Sequence, residues 1–165
     1  MQPVYQNPDV PSTESVYRTN VILWAAMLMS QFLFLIVLYF VKPQVFGFSS
    51  LAPSTSAAAV DSDASFLNLP IIILMVGGLI TFVLSFVIRT RLLKYAIDNK
   101  DIKLVQSAQI VAYALCEVTS LLGLIAAFAF EYKYFFVWII AGISGILLHL
   151  PRKNDFAAAS FKGIT

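Results

Sequence analysis

One carboxylate stands inside the third apolar stretch of this chain, Glu117 in "AYALCEVTSLLGLIAAFAF". It lies twelve residues past Val105, where that stretch begins, a rise of about 18 Å along a helix. An acid at that depth in a bilayer costs about 2.5–3.5 kcal/mol on insertion scales. It must therefore face protein and find a hydrogen-bond partner. Depth suggests one: Gln31, next to Ser30 in "MLMSQFLF", lies ten residues past Val21 in the first apolar stretch and reaches nearly the same level. Within its own helix Glu117 has Tyr113 four residues before it and Ser120 three after, spacings that share a helix face. Donation to Gln31 or acceptance from Tyr113 would satisfy the acid. Two chemistries stay open: a polar link between helices, or a proton or ion carrier.

Two further groups invite chemistry. His149, the single histidine, stands in "GILLHLPRK". A histidine near a helix end can ligate the central metal of a haem or chlorophyll, or meet headgroups and helix carbonyls beside Arg152 and Lys153. Cys116 adjoins Glu117; burial disfavours the reactive thiolate, which points to packing. One histidine and one cysteine assemble no Cys/His metal site. The chain has no glycine-rich phosphate loop and no interleaving of basic and exposed aromatic residues. These patterns point away from an enzyme, from nucleic acid and from any identified soluble substrate.

The elements that must position these residues are membrane spans. The chain has 165 residues, 59% hydrophobic and 12% charged, with a mean hydropathy of +0.83. Soluble domains carry about a quarter charged residues. A span needs about 20 apolar residues, and four stretches qualify as helices: 21–41, 67–88, 105–130 and the shorter 134–150. Backbone in lipid must satisfy itself, so each is expected to be α-helical. The predicted fold is an all-α, four-helix transmembrane bundle. A polar, proline-bearing tail over 1–20 is read as irregular, followed later by an external loop over 42–66, a basic loop over 89–104, a short external turn over 131–133 and a tail over 151–165.

Of the eleven lysines and arginines, all but Lys42 and Lys133 fall on the side shared by the two tails and the 89–104 loop. Positive residues mark the cytoplasmic side, so both termini are expected there, in a bacterial inner membrane. The 89–104 loop mixes apolar residues with its charges. It either extends the second helix, breaks near Asp98–Asn99 and re-enters, or lies on the leaflet as an amphipathic segment. Tyr132, Tyr134, Phe135, Phe136 and Trp138 cluster at the outer end, where an aromatic belt belongs.

Small residues let membrane helices approach closely. They recur as Ala112, Cys116, Thr119 and Gly123 in the third stretch, as Ala141, Gly142, Ser144 and Gly145 in the fourth, and as Gly77 and Gly78 in the second.

Residues Ala114–Ala127, "ALCEVTSLLGLIAA", resemble the carboxylate helix of the rotary ATPase proteolipid, the c subunit, in which an acid precedes a glycine by six residues; Glu117 and Gly123 match that spacing. The resemblance implies an ion-binding role for Glu117 and a hairpin whose polar loop is cytoplasmic. With "YALCE" and "LLHLPRK" the chain is also similar to small bacterial membrane proteins without an assigned biochemical role. Taken together, the expectation is a non-catalytic accessory subunit, in contact with lipid and with other integral membrane subunits. It would stabilise a larger assembly, such as one of respiratory or photosynthetic electron transfer. The alternative is a small proton or ion translocator that uses Glu117.

Overall fold

The computed structural model describes residues 13–46 and 69–160. Outside them lie residues 1–12 of the expected tail, most of the external loop, the first two residues of the second expected span, and the last five residues of the chain. All regular structure among the described residues is helical: α1 (Thr13–Val41), a 3₁₀ turn (Pro43–Phe46), α2 (Leu69–Asp98), α3 (Ile102–Phe130), α4 (Phe135–Leu148) and α5 (Lys153–Ser160).

The helices α1, α2 and α3 are each long and apolar enough to cross a membrane. The pair α4–α5, bent by 48°, makes a fourth crossing if the two are counted as one span. This is the pattern of an integral membrane protein. Its outer surface agrees: Ile22, Phe32, Ile36 and Phe40 on α1, and Ile73, Leu79, Ile80 and Val83 on α2, are exposed.

Several boundaries differ from those expected. α1 begins at Thr13, inside the stretch read as an irregular tail. The prolines at positions 3, 8 and 11 all precede it, and Glu14 supports its first turn by accepting from Arg18 Nε at 3.2 Å. α2 runs on past Ile88 to Asp98. It ends in a Schellman pattern: Asp101 N donates to Ala96 O at 3.0 Å and Lys100 N to Ile97 O at 3.1 Å. Lys100 takes the left-handed conformation, φ 54°, that such an end requires. Asp101 then caps α3, its carboxylate accepting from Lys103 N at 2.8 Å. α4 has only 14 residues, about 21 Å, which is short of a hydrocarbon core of about 30 Å.

The arrangement is centred on α3. It packs against α1, α2, α4 and α5, whereas α1 and α2 share no substantial contact. Its buried positions follow a stripe: Val105, Ala108, Gln109, Ala112, Tyr113, Cys116, Thr119, Ser120, Gly123, Ala126 and Ala127. That three-four spacing sets a continuous seam along one side of a helix. Two apolar clusters close the ends. At the end bearing α5, Val16, Ala96, Val105, Phe156 and Ala159 pack together. At the far end Leu38, Ile71, Ala126, Ala127, Tyr132, Phe135 and Ile139 do so. Between them buried polar side chains such as Gln31, Ser85, Gln109, Thr119 and His149 stand among Ala112, Cys116 and Ile146.

Candidate functional site

Glu117 sits at the edge of the α3 stripe, half-buried and turned towards α1. Its partner is Ser30, whose hydroxyl donates to Glu117 Oε1 at 2.9 Å and also lies 2.7 Å from Met27 O of its own helix. The pairing fixes the register of two helices that run in the same direction. Neither Gln31, expected from depth, nor Tyr113, expected from helix spacing, is the partner used. Gln31 is fully buried, and both polar atoms of its amide lack a hydrogen bond among the described residues. One residue along a helix is about 100° of rotation, so a shared level brings only one of Ser30 and Gln31 to the acid. Tyr113 turns the other way, its hydroxyl donating to the His149 carbonyl at 3.3 Å. Ser120 is also fully buried with an unsatisfied Oγ.

A second polar group occupies the end nearer α5. Here α4 stops at Leu148, where the His149 N–H closes on the Gly145 and Ile146 carbonyls at 3.0 and 3.2 Å and Leu150 N on Leu147 O at 3.3 Å. Side chains from other helices supply donors. Trp24 Nε1 of α1 donates to Ile146 O at 2.8 Å. Tyr113 of α3 donates to His149 O. Gln109, oriented to satisfy both ends of its amide, donates to His149 O at 3.2 Å and to the Tyr113 hydroxyl at 3.3 Å, and accepts from Arg89 Nη2 at 3.2 Å. Arg89 in turn meets Asp155 of α5 at 3.5 Å, both side chains being largely buried. A hydrogen-bonded chain thus runs from α5 through α2 and α3 to the end of α4. Together with Trp24 it ties the end of a short helix into the bundle through the Ile146 and His149 carbonyls.

His149 belongs to this group. It is 1% exposed, not at a headgroup surface. Its Nε2 lies 3.2 Å from Ser85 Oγ, and its ring centroid lies 4.5 Å from that of Phe86. The ring packs against Ser85 and Phe86 of α2, and its Nδ1 is buried without a partner among the described residues. Cys116 Sγ donates to the same Ser85 oxygen at 3.6 Å. Further along the α2–α3 seam the Thr81 and Thr119 hydroxyls are 3.0 Å apart. Among the described residues no three His, Cys, Asp or Glu side chains converge as a metal site.

The small residues divide into two kinds. A Cβ on Gly123 would lie 2.5 Å from Trp138 Cβ, and one on Gly145 2.6 Å from Cys116 Sγ. A Cβ on Gly142 would collide with Ser120 Oγ and lie 2.8 Å from the Cys116 carbonyl, and one on Gly78 would lie 3.0 Å from the Trp138 ring. Gly77 is different: its nearest neighbour would be Leu122 at an ordinary 3.6 Å. Ala112 and Thr119 are buried, whereas Ala141 and Ser144 are only half-buried beside the true contact positions Gly142 and Gly145. Trp138 does not join an aromatic belt. Its ring lies over Gly78 with its base against Gly123, because two glycines together leave space for an indole. Tyr132 and Phe135 are buried too, which leaves Tyr134 and Phe136 of that cluster exposed.

Arg89, Gln109, Asp155, Ser85 and Trp24 carry much of this polar framework but were not among the residues singled out from sequence. Gln109 had the same signal as Glu117, a polar side chain inside an apolar stretch. Compared with protein-family models, curated proteins and solved structures, the chain matches none of them.

Proposed function

We propose that this chain is a non-catalytic integral-membrane subunit that packs against a larger membrane assembly and stabilises it, with both termini on the cytoplasmic side of a bacterial inner membrane. One observation carries this reading: its polar side chains are used to hold helices together. Glu117 ties α1 to α3 through Ser30, Thr81 and Thr119 join α2 to α3, and Trp24, Gln109 and Tyr113 close the end of α4. The broad apolar faces of α1 and α2 are the surfaces on which other membrane subunits would pack. Photo-crosslinkers placed at Phe32 or Ile36 of α1 and at Ile73 or Ile80 of α2, in native membranes, test this. A discrete protein adduct from one face supports it; only lipid adducts from all four positions would count against it.

A second reading rests on Gln31 and Ser120. Both are fully buried without a hydrogen-bond partner among the described residues, and Gln31 is adjacent in sequence to the residue that holds Glu117. Buried amides and hydroxyls are normally satisfied, often by internal water. Such water would give the carboxylate further polar stations, as proton or ion transfer needs. Under this reading, flux into liposomes falls with Glu117→Gln; under the first, the purified protein gives no flux to lose.

A further inference from the structure

We propose that the groove between α1 and α3, at the end bearing α5, seats the headgroup of an anionic phospholipid. The proposal rests on the reading that these helices cross a bilayer. The groove has a volume of about 480 Å³ and is lined by Ser15 and Thr19 of α1 and by Lys103, Gln106, Ser107 and Ile110 of α3. Ser15, Thr19, Lys103 and Ser107 are exposed, so the groove opens on the outside of the bundle. The Lys103 ammonium and the Gln106 amide suit a phosphate diester and its neighbouring ester oxygens, while the Thr19 and Ser107 hydroxyls donate to the Ser15 and Lys103 carbonyls of their own helices at 3.0 and 3.1 Å.

Charge selects the sign. Among the described residues, no carboxylate lies within ion-pairing distance of the Lys103 ammonium. The nearest acid in sequence, Asp101, is engaged in capping α3. Glu14 is engaged by Arg18 at 3.2 Å and Lys153 at 4.0 Å.

What lies above the groove selects a lipid over a free anion. The Ser30–Glu117 bond shows that α1 and α3 keep step. Ser15 and Ser30 are fifteen residues apart, Lys103 and Glu117 fourteen, so both edges rise by about 21–22 Å from the groove to that bond. Along the way stand Ile110 and the small residues Ala26 and Ala114, all exposed. An acyl chain laid along this furrow of the α1–α3 seam would meet apolar and small residues over more than one leaflet of a core about 30 Å thick. A soluble phosphate would have no use for it; an acyl chain would fill it.

The test begins with flotation of the full chain with phosphatidylcholine vesicles, with and without phosphatidylglycerol. Failure to integrate into either would refute the membrane reading itself. Integrated protein is then extracted in mild detergent, and the lipids it retains are counted by mass spectrometry. We expect phosphatidylglycerol to be enriched about fivefold over its share of the vesicle, the factor one basic residue contributes near a charged surface. Lys103→Gln should abolish the enrichment, whereas Lys133→Gln at the other end should leave it intact. Ala114→Phe, which fills the furrow and spares the headgroup residues, should lower retention. Inorganic phosphate should not compete. The proposal is overturned if integrated protein shows no preference, if the preference survives Lys103→Gln, or if inorganic phosphate displaces the lipid.

Discussion

Gly142→Ala separates a structural requirement from a mere preference for small residues. The new methyl would collide with Ser120 Oγ and stand 2.8 Å from the Cys116 carbonyl oxygen and 3.2 Å from Ser120 Cβ. The hydroxyl can rotate away; the carbonyl is backbone and cannot. The α3–α4 pair must therefore part by several tenths of an ångström, and overpacking of this kind costs about 1–3 kcal/mol. Gly77→Ala supplies the reference. Its methyl meets only Leu122 at 3.6 Å, so it gains helix propensity of about 0.8–1.0 kcal/mol without a clash. Gly142→Ala gains the same propensity, so the difference between the variants isolates the overpacking at about 1–3 kcal/mol. Steric-trap unfolding in bicelles measures both on one scale. Adding Ser120→Gly to Gly142→Ala removes the side-chain collision and leaves the carbonyl contact, so the rescue should be partial. Equal stability of the two alanine variants, or full rescue by Ser120→Gly, would refute the claim that the α3–α4 backbones meet there.

Three further outcomes follow from the same geometry. Asp155→Asn should leave Arg89 largely buried without its carboxylate, costing about 1–3 kcal/mol, seen as faster hydrogen exchange over 153–160. The Ser30–Glu117 bond should show a coupling of about 0.6 kcal/mol, with about 1.7 as a ceiling, in a double-mutant cycle of Ser30→Ala and Glu117→Gln. The modest figure is expected because the Ser30 hydroxyl also reaches Met27 O. Lys100→Gly should stabilise the α2–α3 turn by a few tenths to about 1 kcal/mol, since Lys100 holds a left-handed φ of 54° that glycine adopts freely; thermal unfolding would register it.

What could be read from the sequence was whatever depends on local pattern. Apolar length gave the spans, because the bilayer sets a length that the chain must meet. Three-four spacing gave the small-residue seam of α3. The mid-helix position of Glu117 marked it as in need of a partner. What could not be read depends on rotation about helix axes and on chain pairs far apart in sequence. Ser30 rather than Gln31 meets Glu117 because adjacent positions on α1 point about 100° apart. Trp138 looked like an interface anchor but lies against Gly78 and Gly123, and only the packing of three helices creates that space. Asp155 looked like part of a polar tail; α5 folds back and brings it to Arg89. His149 looked like a surface or ligand residue, and the early stop of α4 makes it part of a helix end closed by Tyr113 and Gln109.

The central claim is that the chain serves as a subunit of something larger. Gentle-detergent purification of the native protein, with mass spectrometry of the intact particle and an absorption spectrum, tests it most directly. The account predicts integral membrane companions at fixed stoichiometry, retained by Glu117→Gln. A colourless particle made only of copies of this chain, with a proton flux that Glu117→Gln abolishes, would contradict it.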